Sequence, residues 1–458
     1  MIKIDSSLTA AALRPLIGRV WPAAAAKIRS IDAGWAPAAG APVFTVQGRY
    51  TSRGWTEWTQ GFQFGAAILV FDATHDAEFL HIGRQRTVEV MAPHITHIGV
   101  HDHGFNNVST YGNLLRLLHE GQLPDNRWER SFYELALKCS GAVQAARWAR
   151  IRGGGGYIYS FNGPQSLFVD TIRSLRALAC SWRLGHVLMG ENDVKINLLG
   201  RLIDHARATA EHSVFYGEGR DAYDVRGRTA HEIIFNPNDG NRRCPNSQQG
   251  YSPFSTWTRG LAWAMCGFAE QLEFLATVPD EALEEFGGRT SVEGFMRKAA
   301  EAVCEFYVAN TPTDGIPYWD TGAPGLAQLG NYLERPADPF NDHEPVDSSA
   351  AAIAAQGLLR FGRWLMGKGE AELGARLRAA GLATARTLLA EPYLSEDPEH
   401  QGLLLHAVYH RPNDWDHIPD GCRIPFGESC MWGDYHLLEL ALYLQREADG
   451  LPYLTFWS

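Results

Sequence analysis

The chain has 458 residues, 45% of them hydrophobic and 20% charged, which is ample material for a packed core and rules out a disordered protein. A formal net charge of -11 and a pI near 5.9 argue against a nucleic-acid partner, because binding a phosphate backbone takes a surplus of Lys and Arg on one face. No apolar run approaches the length of a membrane span, and the start, Met1 to Ser7, lacks the basic-then-apolar pattern of a secretion signal. The expectation is a cytoplasmic protein with no membrane partner. Its seven cysteines are odd in number and form no CxxC pair, so they read as free thiols.

Along the chain, apolar residues at three-to-four spacing predict helices over 111–119, 130–150, 167–188, 194–212, 255–275, 291–309, 348–366, 370–390 and 434–446. Alternating patterns are few: 43–46, the Gly-rich 153–160, and 231–235. Long Gly-, Pro-, Asn- and Asp-rich loops cover 217–251 and 311–346, and loops of that length inside a compact domain usually carry function.

Aromatic and acidic residues cluster six times where a loop hands over to a helix: at 58–65, 101–107, 166–170, 255–259, 345–349 and 432–435. This rhythm suggests a closed ring of helical hairpins with a cleft at one end, although no exact repeat underlies it. No linker interrupts the series, so one domain is expected over 1–458, with 1–50 as an N-terminal extension. Fourteen Trp, sixteen Tyr and twenty-one Phe, many beside Gly, Asp and Asn, suit a carbohydrate cleft, since flat rings cover the apolar faces of a sugar while polar neighbours bind its hydroxyls.

Eight ordered segments, spread from about Trp58 to Glu439, make the chain resemble the unsaturated glucuronyl hydrolases of glycoside hydrolase family 88. They are Trp58-Thr-Gln-Gly-Phe62, His101-Asp-His-Gly-Phe105, Phe168-Val-Asp170, the run from Ser247 to Trp263, Pro317-Tyr-Trp-Asp320, the run from Val346 to Ile353, the run from Leu404 to His410, and the final run from Ile424 to Tyr435. The resemblance implies an all-α fold, an (α/α)6 barrel. It also implies a substrate: an oligosaccharide with a 4,5-unsaturated uronic acid at its non-reducing end, whose vinyl ether is hydrated so that the remaining sugar is released.

That chemistry needs a carboxyl group still protonated near neutral pH. The resemblance gives the general acid/base role to Asp170, which follows apolar neighbours able to raise its pKa, and makes Asp102 the second essential aspartate. It further implies that Gln249 and Arg259 meet the uronate carboxylate, Arg through its planar fork. By the same resemblance His231 fits the family's active-site histidine. Trp58 and Trp257 would be stacking walls, with Trp263 expected as a further substrate contact and Ser348 as a contact at the cleft rim. No cofactor is implied, and association into a homo-oligomer is compatible with the composition.

Each of these residues has an ordinary structural alternative. Asp102 and Asp170 could cap helices, and the run after Asp347 is a good helix start with small residues suited to close packing. His101 and His103 flank an aspartate, yet no HExxH or CxxC partner accompanies them, so no metal site is expected. Gly153 to Gly156 lacks the Lys-Ser/Thr of a phosphate loop and reads as a turn.

Two departures from the family pattern, Gln63-Phe64 after the first motif and Thr171 to Arg176 after the acid, are expected near the cleft and bear on substrate identity. The loop before Trp432 lacks the Lys found in sulfate-binding relatives, which disfavours sulfated substrates. An unsaturated rhamnogalacturonyl hydrolase is one alternative. A sugar epimerase on the same toroid, with His231 and His410 as acid and base, is another, and a catalytically silent sugar binder a third.

Overall fold

The computed structural model describes residues 1–54 and 57–457. Its first half runs through α1 (Arg14–Gly34), α2 (Gln60–Thr74), α3 (Ala77–Val90), α4 (Ala92–Ile95), α5 (His103–Asn107), α6 (Asn113–His119), α7 (Arg127–Ala146), α8 (Thr171–Ser174) and α9 (Arg176–Arg183). The second half adds α10 (Leu198–Ala208), α11 (Thr258–Leu275), α12 (Gly288–Asn310), α13 (Ser348–Gly367), α14 (Ala371–Leu388) and α15 (Met431–Ala448).

Packing sorts these helices into two rings. The inner ring passes from α2 to α5 and α6, then to α8 and α9, then to α11, α13 and α15, and closes from α15 back to α2. Outside it, α3 packs on α2, α7 and α10 on α9, α12 on α11, and α14 on α13. The helix α1 lies against both α2 and α15, burying Ile17, Val20 and Trp21. The result is an all-α barrel.

Burial explains which residues take which ring. Every residue of α11 is buried, and α2 is buried from Gln60 to Asp72, so these helices are enclosed on all sides. The outer helix α7 buries only one stripe, including Tyr133, Ala136, Leu137 and Ser140. Its start is fixed by Asn126, whose side chain accepts from the N–H groups of Trp128 and Glu129. Because α2 has no polar face, it carries little of the three-to-four periodicity on which the sequence reading relied.

The six aromatic-acidic junctions precede the six segments of the inner ring, at the starts of α2, α5, α8, α11, α13 and α15. All six inner N-termini therefore face one end of the barrel. Helix dipoles converge there with their positive ends, which favours negative charge in the cleft they enclose.

Three predicted helices are shorter or broken. The segment expected as one helix over 167–188 begins instead with a strand, Ser166–Phe168, paired antiparallel with Glu232–Phe235. Its partner lies more than sixty residues ahead and leaves no trace in the local pattern. The helix expected to reach 150 stops at Ala146, where Trp148–Arg150 pairs with Gly156–Ile158. The turn between those strands holds Gly153, Gly154 and Gly155 at φ 95, 125 and 68, values an L side chain rarely adopts. The helix expected over 194–212 begins at Leu198 and ends in a π-helical turn over Thr209–Ser213. Among the described residues, no helix is long and apolar enough to cross a membrane.

Below the cleft the inner ring carries a buried ionic network. Arg173 bonds Glu439 at 2.8 Å and Glu270 at 3.0 Å, and Arg176 lies 3.4 Å from Glu439. Arg360 pairs with Glu273 at 2.9 Å. Arg173 and Arg176 thus tie α8 and α9 to α11 and α15, and their place in the core corrects the expectation that these residues of the run from Thr171 to Arg176 lie near the cleft. Gln63 and Phe64 lie away from the cleft too: Gln63 meets Gln60, and Phe64 packs edge-on against Trp35.

Removing one charge from such a network strands its partners in a low-dielectric interior. Glu439→Gln is expected to lower stability by about 3–5 kcal/mol, read as a lower midpoint of chemical denaturation. An unchanged midpoint would show that the network is dispensable.

Candidate active site

A cavity of ≈ 450 Å³ opens at the N-terminal end of the inner ring. Of the residues singled out from the sequence, Trp58, Asp102, Asp170, Gln249, Trp257, Arg259 and Trp263 line it.

Asp102 immediately precedes α5, and Asp170 occupies the N-cap position of α8. A compact clamp holds these two helix starts together. The N–H of Gly104 donates to Ser174 Oγ at 2.9 Å, and Ser174 Oγ donates to the carbonyl of His101 at 2.7 Å. Gln144 reinforces both, donating to the His101 carbonyl at 2.7 Å and to Ser174 Oγ at 2.9 Å. Glycine is required at 104, since a Cβ there would lie 2.2 Å from the carbonyl oxygen of Ser174.

Both carboxyl groups are buried, at 7% exposure for Asp102 and 8% for Asp170. Desolvation pushes Asp102 up to about 7, with Arg147 opposing the rise. Asp170 rises to about 8, chiefly by desolvation, then through repulsion from Asp102, with Arg259 opposing. Among the described residues, the buried Asp170 Oδ1 has no hydrogen-bond partner.

His231 stands behind Asp170, wedged between the rings of Phe168 and Trp257 at 4.5 and 4.6 Å. It is fully buried and outside the cavity wall. Its Nδ1 accepts from the N–H groups of Gln248 and Gln249 at 3.1 and 3.2 Å, which places its proton on Nε2. Burial holds this imidazole down at about 3, so it is neutral, and Nε2 lies 3.9 Å from Asp170 Oδ2.

Arg259 does not present its fork to the cavity as the sequence suggests. It donates to Asp347 Oδ2 at 2.8 Å, to the carbonyl of Tyr409 at 2.6 Å, to the carbonyl of Val408, and to Gln249 Oε1 at 3.0 Å. The guanidinium is a strut between the start of α11, the Asp347 cap of α13 and the 408–409 loop. Its bond to Gln249 Oε1 turns that amide's two N–H donors outward. Ser348 departs further from expectation: it is buried and donates to the Leu405 carbonyl at 2.7 Å, away from the cavity wall.

Aromatic rings form the rest of the wall. Trp58 stacks on Trp432 at 5.0 Å, and Trp263 tilts against Phe105 at 4.8 Å. Five lining residues lie outside the motifs marked in the sequence: Glu57, His97, Gly99, Val100 and Phe161. They sit in segments with no distinguishing pattern. Among the described residues, no group of three or more His, Cys, Asp or Glu side chains is arranged to hold a metal ion.

Comparison with known proteins places this geometry. No family model matches the chain. It is 27% identical over 406 residues, covering 87% of this chain and 89% of the relative, to an unsaturated glucuronyl hydrolase from Bacillus sp. strain GL1. The chain is thus similar to unsaturated glucuronyl hydrolases over most of its length. A second relative, the unsaturated chondroitin disaccharide hydrolase of Streptococcus pyogenes, is 24% identical over 417 residues, 89% of this chain and 86% of its own. Among solved structures, an unsaturated glucuronyl hydrolase specific for heparin superposes with a TM-score of 0.71 at 18% identity, covering 96% of this chain and 100% of that one. The Bacillus sp. GL1 enzyme superposes at 0.68 with 22% identity, covering 93% and 96%. These superpositions establish the shared all-α barrel.

A carboxyl whose pKa rises on folding couples stability to pH. Above about 4 the unfolded chain gives up the Asp170 proton while the folded chain keeps it to about 8, so folding weakens across that window. Asp170→Asn escapes this cost. Its melting temperature relative to the parent is expected to climb as pH rises from 4 to 8 and to level off above. A difference that stays constant with pH would contradict the raised pKa.

Proposed function

We propose that this protein is a glycosidase that removes a terminal 4,5-unsaturated uronic acid from lyase-generated oligosaccharides by hydrating the C4=C5 vinyl ether. The observation that carries this reading is a pair of buried carboxyl groups with raised pKa values at the deep end of an aromatic cavity. A group with its pKa near 8 is protonated at neutral pH and can act as an acid.

In the reaction, Asp170 delivers a proton to C4, and positive charge develops at C5 and the ring oxygen. Water adds to C5 and gives a proton to a carboxylate of the pair, restoring the starting protonation. The hemiketal formed at C5 opens and releases the remaining sugar. Asp102, beside Asp170, supplies in its ionised form the negative field that stabilises the developing cation. Asp170, which lines the cavity, is the group we assign to the attacking water and the sugar ring, with the neutral His231 buried behind it.

Gln249 is the donor we assign to the uronate carboxylate, with its amide held by Arg259. The convergent inner-ring N-termini favour the same negative charge. Trp58, Trp257 and Trp263 supply ring faces for the sugar. We take the catalytic unit to include α1, since it packs on two inner helices. An epimerase would need His231 and His410 as an acid–base pair. Burial lowers both, to about 3 and about 4, and His231 is turned toward Asp170, which weighs against that reading.

The conjugated unsaturated uronate absorbs in the ultraviolet, so the test is direct. Incubation with lyase-generated disaccharides is expected to abolish that absorbance, whereas an epimerase or a binder leaves it intact. Asp170→Asn should lose on the order of 10²-fold or more in kcat while keeping its fold. Near-parental turnover by that variant, or persistence of the absorbance with every disaccharide tried, would overturn the proposal.

A further inference from the structure

The cavity is graded from a dry end to a wet one. Asp102, Asp170, Trp257 and Trp263 are buried at its base, while Glu57 and His97 are half-buried and Phe161 is exposed at its mouth. A terminal sugar must enter the closed end first, so the sugar that leaves lies at the mouth. Glu57 is the carboxylate there.

Among the described residues its side chain takes part in no hydrogen bond and no ion pair, although its backbone carbonyl accepts from Asn106 Nδ2 at 3.2 Å, which fixes the short 3-10 turn Glu57–Thr59 that carries it. No Lys, Arg or His nitrogen of the described residues lies within 4.0 Å of its carboxylate. Among the described lining residues Arg259 is the cation, and its charge is matched by Asp347 at 2.8 Å. Burial keeps His101 and His410 neutral near physiological pH, leaving His97 as the other ionisable group at the mouth.

We propose that Glu57 sets the charge the leaving sugar can carry, accepting hydrogen bonds from the hydroxyl groups of a neutral sugar and repelling one that bears a sulfate ester. This rests on the glycosidase reading above and goes beyond it, to the substrate's second residue. The physical basis is the mismatch of one uncompensated negative charge against another across a half-dry mouth, where screening by water is incomplete.

The experiment compares kcat/KM for two lyase-generated disaccharides that differ only in a sulfate on the leaving sugar, using the parent enzyme, Glu57→Gln and Glu57→Lys. The parent is expected to favour the unsulfated substrate. Glu57→Gln should narrow that preference by roughly tenfold, and Glu57→Lys should narrow it further or reverse it. A ratio that stays within about twofold of the parent's in both variants, with melting temperatures unchanged, overturns the assignment while leaving the glycosidase reading intact. Absence of turnover on both disaccharides by the parent would overturn that reading, and this assignment with it.

Discussion

The close approach of Gly104 to Ser174 is the constraint on which the site depends. A helix start bearing Asp102 and another bearing Asp170 belong to segments some seventy residues apart, and neither carboxylate contacts the other through a covalent or local tie. What fixes their relation is one hydroxyl that accepts from the Gly104 N–H and donates to the His101 carbonyl, with Gln144 bonded to both. The absence of a side chain at 104 lets the two backbones meet. The ionic network beneath then anchors α8 and α9 to α11 and α15, so Asp170 stands on an element fastened on three sides.

From that geometry the electrostatics follow. Two acids drawn together out of water cannot both ionise at little cost, so burial and mutual repulsion raise the proton affinity of Asp170. A group tuned this way costs folding energy at neutral pH, and the barrel's large core absorbs it. Arg259 belongs to the same economy of positioning. Its charge is spent on Asp347 and on two backbone carbonyls, and its contribution to the site passes through the Gln249 amide it orients.

Much of this was legible in the sequence. The six aromatic-acidic junctions marked the six inner-ring starts, and the motifs led to Asp102, Asp170, Gln249, Trp257 and Trp263, which the fold gathers around one cavity. The helix α2 escaped notice because a helix buried on every side has no polar face to set its period. The strand at Ser166–Phe168 escaped because its partner is distant in sequence. Ser174 and Gln144 are ordinary polar residues whose role exists only once the barrel brings α5, α7 and α8 together. Arg259 and Ser348 were read from motif position, yet side-chain direction decides function: one fork is filled by protein acceptors, and one hydroxyl turns to the Leu405 carbonyl.

The dependence of kcat/KM on pH tests most directly whether Asp170 works as a buried, protonated acid. The active form keeps its proton, so activity should persist through neutrality and be lost as pH rises through about 8, where this carboxyl ionises. A rate that already collapses as pH rises through 4 to 5, as an ordinary carboxyl acid would impose, or one that stays level well above pH 9, would contradict that role.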